Sequence, residues 1–128
     1  MPAPDDLADD LASAVRGPEI SAVYQPQVSL ESGSIVGAEA LCRWRHPRHG
    51  DIDPATMIGV AERTGAIHAL GRRMLDEGLD TLAEWREAGR DWAVAVNVSP
   101  LQFDDPAFAA HVATELARRA LAPGSLVL

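Results

Sequence analysis

A link of only four residues, 31–34, joins the first two strands that the sequence predicts, 20–30 and 35–44. A parallel crossover needs about a dozen residues or more, so these two strands must be antiparallel neighbours. Pro26 has no amide hydrogen to give to a ladder, which places the first strand at a sheet edge or at an irregularity in its pairing. The sheet of this chain therefore begins with an antiparallel pair.

Beyond the second strand, helices alternate with strands. Asp53 and Pro54 predict the start of one helix, and apolar residues three and four apart predict a longer helix over 67–88. The later predictions are a strand over 92–99, a helix from Asp105 and Pro106, and a strand over 125–128. This alternation favours parallel strands joined by crossover helices. In order, the segments are a leading helix over 1–17, the antiparallel strand pair over 20–44 and βα units over 53–128.

The composition excludes several kinds of function. The net charge is −8, whereas binding to a nucleic-acid polymer by bulk electrostatics needs clustered Lys and Arg. No apolar run reaches the length of a membrane span. The first residues also lack the basic segment followed by an apolar one that is typical of a secretory signal peptide. The single cysteine, Cys42, excludes an internal disulfide framework. We expect one cytoplasmic domain that binds neither nucleic-acid polymers nor membranes.

The second strand carries two charges on one of its faces. Side chains alternate along a strand, so Glu39, Leu41 and Arg43 point the same way. The opposite face is apolar, with Ala38, Ala40, Cys42 and Trp44. A carboxylate can hold a divalent metal, and a guanidinium can hold a phosphate through a bidentate fork. On this pattern alone, the solvated face of an edge strand is the simpler interpretation.

Another polar side chain lies where a strand ends. Asn97 closes the small-residue face of the strand over 92–99. Ligand sites in parallel α/β folds gather at the carboxyl ends of strands, and Glu39, Arg43 and Asn97 all lie near such ends. Asn97 could equally cap a turn, and Gln25 could be an ordinary polar residue of its strand.

Several short motifs occur along the chain in a fixed order. They are Tyr24-Gln25-Pro26, Glu39-Ala40-Leu41, Arg43-Trp44, His46-Pro47, Ala61-Glu62-Arg63-Thr64-Gly65 and Val96-Asn97-Val98-Ser99. Together they resemble the signature of the EAL-domain family, the cyclic di-GMP phosphodiesterases, from about Leu7 to Leu128. One of these motifs alone would be a weak signal, whereas the ordered series is specific.

The resemblance implies a fold and a chemistry. The fold is α/β, a TIM-like (β/α) barrel whose first strand runs antiparallel, here partial and truncated at about the fourth strand. The chemistry is hydrolysis of cyclic di-GMP to the linear dinucleotide, with two Mg²⁺ or Mn²⁺ ions about 4 Å apart. The resemblance assigns Glu39 and Asn97 as metal ligands. It assigns Gln25, Leu41 and Arg43 to the substrate pocket, with Arg43 on a phosphate.

Two histidines and the cysteine are expected to take no part in the chemistry. His46 and His49 lie in a predicted loop over 46–50, where we expect surface residues with a structural role rather than metal ligands. Cys42 lies on the face of its strand that is covered by helices, which predicts a core residue rather than a nucleophile.

The length predicts an incomplete site, because a whole barrel of this kind runs to about 250 residues. The resemblance implies further ligands beyond residue 128, among them a glutamate and a paired-aspartate loop. We therefore expect the isolated chain not to hydrolyse cyclic di-GMP, and its open strand edge to pair with a missing half-barrel or with a second copy. The alternatives are a non-catalytic module that binds cyclic di-GMP or another protein, and a truncated reading frame without a function of its own.

Overall fold

The structure, a computed structural model, describes residues 4–128, with side chains from Asp6 onward; the part of the predicted leading helix before Pro4 lies outside these residues. The helices are α1 (Pro4–Ala14), α2 (Pro54–Thr64), α3 (Ile67–Glu87), α4 (Pro100–Phe103) and α5 (Phe108–Arg118). The strands are β1 (Ile20–Val28), β2 (Ile35–His46), β3 (Gly50–Asp51), β4 (Ala93–Val96) and β5 (Leu126–Val127). Within the described part of the chain, no helix is both long and apolar enough to cross a membrane.

The strands form one sheet in the order β1-β2-β4-β5, and β3 pairs with the end of β2. β1 and β2 run antiparallel, with Ile20 opposite Trp44 and Gln27 opposite Gly37. β4 is parallel to β2 on one side and to β5 on the other. The predicted antiparallel pair followed by parallel strands is confirmed, and Pro26 lies in the edge strand β1, where its missing amide hydrogen costs no pairing with a further strand.

Local sequence signals fix the ends of α2. The Asp53 side chain accepts a hydrogen bond from the Thr56 amide at 3.2 Å, which satisfies one of the amides left unpaired at a helix start. Pro54 takes the first helical position, where a missing amide hydrogen costs nothing. Gly65 ends the helix with φ at 85°, a left-handed conformation that glycine adopts without a steric penalty.

Helices cover one face of the sheet, and the apolar residues between them form two clusters. Trp44, at the end of β2, is buried with residues of α1 and α2 in the first cluster. In the second cluster, Ala40 of β2 and Val94 of β4 pack against α3 and α5. The apolar face of β2 therefore faces the helix layer as predicted, and Glu39, Leu41 and Arg43 project from the opposite face.

Arg73 of α3 ties the end of α1 to the rest of the molecule. Its guanidinium donates to the carbonyl oxygens of Val15 (2.9 Å), Gly17 (2.8 Å) and Ile20 (2.6 Å). Carbonyls at the end of a helix lack partners within the helix, and a cation there also matches the helix dipole. The leading helix is thus anchored at the point where the chain enters β1.

Four details differ from the sequence predictions. The last helix begins at Phe108 and not at Asp105, because Asp105 accepts a hydrogen bond from the Ala107 amide in a turn of its own. A short helix, α4, precedes it and was not predicted. The loop over 46–50 contains one end of a small antiparallel pair between β2 and β3. The third predicted strand, 92–99, is paired only over Ala93–Val96.

Candidate active site

The register of β1 and β2 gathers the predicted site residues of these strands on one face. Gln25 lies directly opposite Glu39, and Val23 lies directly opposite Leu41. Directly opposite residues on paired strands project to the same side of the sheet. Gln25, Glu39, Leu41 and Arg43 therefore share the face that the helices leave uncovered, with Gln25 and Arg43 exposed and the other two half-buried.

The two predicted metal ligands touch each other. Asn97 follows the last residue of β4, and its Nδ2 donates a hydrogen bond to Oε2 of Glu39 at 3.2 Å. The contact arises because β2 and β4 are parallel neighbours, with Glu39 beside Ala95 and Asn97 two residues further along the chain. An amide carries a donor nitrogen and an acceptor oxygen on one carbon, so a half-turn of the Asn97 amide presents Oδ1 to the same spot.

A network of hydrogen bonds holds the segment that follows Asn97. Ser99 caps α4, and Gln102 completes a capping box by accepting from the Ser99 amide at 3.0 Å. The Ser99 hydroxyl also donates to Oε2 of Glu62 on α2 at 2.7 Å. The position of Asn97 therefore depends on two helices that lie outside the strand carrying it.

Gln102 reaches α3 at a glycine. Its side chain is buried, and it lies so close to Gly71 that a Cβ there would overlap the amide. Gly71 and Gln102 therefore pack α4 against α3 through a contact that only a glycine allows. None of Glu62, Ser99 and Gln102 was predicted as a site residue. The segment Ser99-Pro100-Leu101-Gln102 nevertheless carries a recognisable capping-box signature with proline at the first helical position.

A cavity of about 360 Å³ opens between the carboxyl ends of β2 and β4 and the helices α2, α3 and α4. This is within the range of small-molecule pockets, roughly 300–1,000 Å³. Its apolar lining includes Leu41, Met57, Ile58, Leu70, Met74 and Val96, and its polar lining includes Arg43, Glu62, Asn97, Ser99 and Gln102. Leu41, Arg43 and Asn97 thus border this cavity at the carboxyl ends of their strands, whereas Glu39 and Gln25 do not line it.

Arg43 is an accessible cation in this region. It is exposed, and its guanidinium donates to the carbonyl oxygen of Cys42 at 3.1 Å. Among the described side chains, no carboxylate forms an ion pair with Arg43. The guanidinium is therefore available for a planar oxyanion, which it can hold with two parallel hydrogen bonds.

Cys42 behaves as a core residue. Burial raises the pKa of its thiol to about 11, and its sulfur lies 3.9 Å from the sulfur of Met57. Since the thiolate is the nucleophilic form, the raised pKa suppresses its reactivity at neutral pH. The structure agrees with the prediction that Cys42 packs in the core.

His46 is structural, but the expectation that it lies at the surface was wrong. The residue is buried, and its Nδ1 accepts hydrogen bonds from the amides of Arg48 (3.1 Å) and His49 (3.2 Å). Nε2 must then carry the proton, which it donates to Asp10 of α1 at 2.7 Å. The pKa of Asp10 is lowered chiefly by this hydrogen bond. His49 is exposed, as expected.

The family model described as EAL domain matches residues 8–128. The chain is 39% identical over 123 residues to MucR of Pseudomonas aeruginosa, named a bifunctional diguanylate cyclase/cyclic di-GMP phosphodiesterase. It is 33% identical over 120 residues to RocR of the same organism, named a cyclic di-GMP phosphodiesterase. The match covers 95% of this chain and 18% of MucR, and 91% of this chain and 31% of RocR.

Solved structures of EAL domains resemble the fold of this chain. A structure of the PaMucR phosphodiesterase in complex with c-di-GMP has a TM-score of 0.89 and 38% identity, covering 94% of this chain and 49% of that one. The FimX EAL domain from Pseudomonas aeruginosa bound to c-di-GMP has a TM-score of 0.83 at 24% identity, over 94% of this chain and 48% of that one, a likeness that concerns the fold alone. The chain thus spans about half of each of these two solved chains, and its fold is that of the matching part of an EAL barrel.

Proposed function

Because the chain belongs to the EAL domain family, we propose that it forms the amino-terminal portion of a domain that hydrolyses cyclic di-GMP to the linear dinucleotide. The observation that carries the proposal is the contact between Glu39 and Asn97, with Oε2 and Nδ2 3.2 Å apart beside an open cavity. The proposed setting is the cytoplasm, in keeping with a single unpaired cysteine.

The residues fit a site for hard divalent cations. Glu39 offers a carboxylate and Asn97 an amide oxygen, which are donors that Mg²⁺ and Mn²⁺ prefer. Such ions, when bound, neutralise charge on the phosphate and lower the pKa of a bound water so that it becomes a nucleophile. We propose that the bound ion is Mg²⁺ or Mn²⁺.

The neighbouring residues would bind and orient the ligand. Arg43 would hold a phosphate of cyclic di-GMP with its guanidinium, whose planar fork matches two phosphate oxygens. Gln25, opposite Glu39, carries both a donor and an acceptor for the polar edge of the ligand. Leu41 supplies apolar contact at the cavity wall.

We propose that residues 1–128 alone do not complete this site. A Mg²⁺ ion takes about six oxygen ligands, and the chain contributes two protein side chains for a two-ion centre. The carboxyl-terminal half of the barrel would supply the remaining protein ligands and would cover the open edge of β5. In this proposal the amino-terminal portion of the domain consists of the leading helix (1–17), the antiparallel strand pair (20–44) and the βα units (53–128).

A chimera tests this proposal directly. Residues 8–128 would replace the matching segment of the MucR EAL domain, and the linear dinucleotide would be followed by chromatography with Mg²⁺ and with Mn²⁺. We expect turnover in the chimera, and loss of turnover by about a hundredfold or more in Glu39→Ala and in Asn97→Ala. A matched control is Glu87→Ala, an exposed carboxylate at the end of α3.

Full turnover in the Glu39→Ala chimera would refute the role proposed for this carboxylate. A chimera that folds, by circular dichroism, and yet stays inactive with both ions would refute the proposal that this segment supplies a competent half of the site.

A second candidate function is a non-catalytic binding or interaction module. Apolar side chains on the uncovered face and edge favour it, with Val23 42% and Val127 54% exposed. Such surfaces bind another chain or aggregate unless they are covered. Under this alternative the 128-residue chain binds cyclic di-GMP or forms a stable homodimer, and the chimera shows no turnover.

A further inference from the structure

A second cluster of metal-binding side chains lies on the outer helix layer, away from the uncovered face of the sheet. Asp76 belongs to α3, and His111 and Glu115 belong to α5. One possible ligand atom from each residue lies within 4.8 Å of the other two, and all three residues are half-buried. The cluster is separate from Glu39 and Asn97, because α3 and α5 pack on the face of the sheet opposite to those side chains.

The spacing of these residues follows from helix geometry. Residues four apart on a helix lie one above the other on the same face, so His111 and Glu115 point the same way from α5. That face meets α3, where Asp76 lies. Leu116 and Leu79 are buried in the shared core beneath this contact, which fixes the separation of the two helices.

Two atoms of the cluster are buried without a hydrogen bond. They are Oδ1 of Asp76 and Nε2 of His111. Buried polar atoms in folded proteins almost always have a partner, because an unpaired one has lost its water and gained nothing in return. The nearest cation to the carboxylate oxygen is the guanidinium of Arg119, 3.8 Å away, beyond hydrogen-bond distance.

The surrounding arginines bind Glu115 and Asp80 and make no hydrogen bond to the unpaired oxygen of Asp76. Arg119 donates to Oε2 of Glu115 at 2.7 Å and to Oδ1 of Asp80 at 2.8 Å, and Arg118 donates to the same Glu115 oxygen at 2.7 Å. The two guanidinium groups therefore hold this oxygen of Glu115 in place. Oδ1 of Asp76 receives none of these hydrogen bonds.

We propose that Asp76, His111 and Glu115 bind a transition-metal dication of the Zn²⁺ type. One imidazole nitrogen and two carboxylate oxygens are a set of donors that suits Zn²⁺, with a fourth position left for water. Imidazole nitrogen favours such ions over Mg²⁺, which prefers oxygen alone. The ion would link α3 to α5 and would give both unpaired atoms a partner.

Zn²⁺ binding to the 128-residue chain tests the proposal. Calorimetric titration would use a Glu39→Ala background, so that uptake at the candidate active site does not contribute. We expect one Zn²⁺ per chain, and weakening by about tenfold or more on His111→Ala and on Asp76→Asn. The matched control is His68→Ala, an exposed histidine on α3, which should leave the affinity unchanged.

Nitrogen-15 NMR of the unsubstituted chain gives an independent result that does not depend on the stability of a variant. Addition of Zn²⁺ should shift the Nε2 resonance of His111 and leave that of His68 in place. Three results would each overturn the proposal. The Glu39→Ala chain could take up no Zn²⁺, or His111→Ala could leave the uptake as strong as before. The third is an Nε2 resonance of His111 that reports only a direct hydrogen bond to Asp76.

Discussion

Replacing Gly71 by alanine should destabilise the fold, although alanine is the better helix former. The new Cβ would overlap the side-chain amide of Gln102 and would lie 2.9 Å from its Oε1. Gln102 is buried and cannot move aside without losing the hydrogen bond from the Ser99 amide. The change therefore combines overpacking with the loss of half of the α4 capping box.

The size of the effect follows from three contributions. Overpacking of a core costs about 1–3 kcal/mol, and loss of the cap costs about 1 kcal/mol. Alanine gains about 1 kcal/mol over glycine within a helix. The net loss for Gly71→Ala is then about 1–3 kcal/mol.

Gly59→Ala is the matched control. Gly59 lies exposed in α2, and a Cβ there would meet nothing within 4 Å. This change should raise stability by up to about 1 kcal/mol through helix propensity alone. Urea unfolding followed by circular dichroism measures both variants, and a loss of 2 kcal/mol lowers the midpoint by about 1 M.

A double variant separates the clash from other causes. With Gln102→Ala in place the overlap disappears, so Gly71→Ala should become neutral or stabilising in that background. The reasoning would be refuted if Gly71→Ala alone were as stable as Gly59→Ala, or if its cost persisted unchanged beside Gln102→Ala.

Three further changes test other parts of the structure. Gly37→Ala should lower the free energy of unfolding, measured in urea, by about 3 kcal/mol, because the new Cβ would meet the backbone of Ala93, which cannot rotate away. An unchanged urea midpoint would contradict this prediction. The pKa of Asp10 is lowered from 3.8 by its hydrogen bond to His46. This contact therefore stabilises the fold above about pH 4, and the stabilisation is lost as the pH falls through the folded-state pKa. Asp10→Asn should remove that part of the acid dependence of the free energy of unfolding, and identical pH profiles for the two chains would refute the prediction. The pKa of Cys42 is raised from 9.0 to about 11, which lowers the fraction of reactive thiolate. Iodoacetamide at pH 8 should therefore alkylate the folded chain about a hundredfold more slowly than the chain unfolded in urea. Equal rates would count against burial of the thiol.

The fold follows from the sequence where the evidence is local or periodic. The four-residue link required antiparallel β1 and β2, and the helices between later strands required parallel pairing, both of which the sheet shows. The alternation along β2 predicted correctly that Trp44 packs under the helices, on the face opposite to Arg43. The proximity of Glu39 and Asn97 followed from the rule that carboxyl ends of parallel strands meet at one edge, although their roles as metal ligands stay predictions.

Contacts between residues far apart in the chain leave no local pattern in the sequence. The burial of His46 depends on Asp10, which lies 36 residues earlier, so no local pattern around the loop could indicate it. Asp105 has the residue type of a helix cap but serves a separate turn, since the chain must first leave α4. The glycine at position 71 has a reason only once Gln102 of another helix lies against it.

Turnover by the isolated chain tests the central claim most directly. The purified 128-residue protein would be incubated with cyclic di-GMP and Mg²⁺ or Mn²⁺, and the linear dinucleotide followed by chromatography beside the Glu39→Ala variant. We predict no product from either chain, because Glu39 and Asn97 alone do not complete a two-ion centre. Product that forms with the unsubstituted chain and vanishes in Glu39→Ala would contradict the account, since residues 1–128 would then assemble a working site on their own.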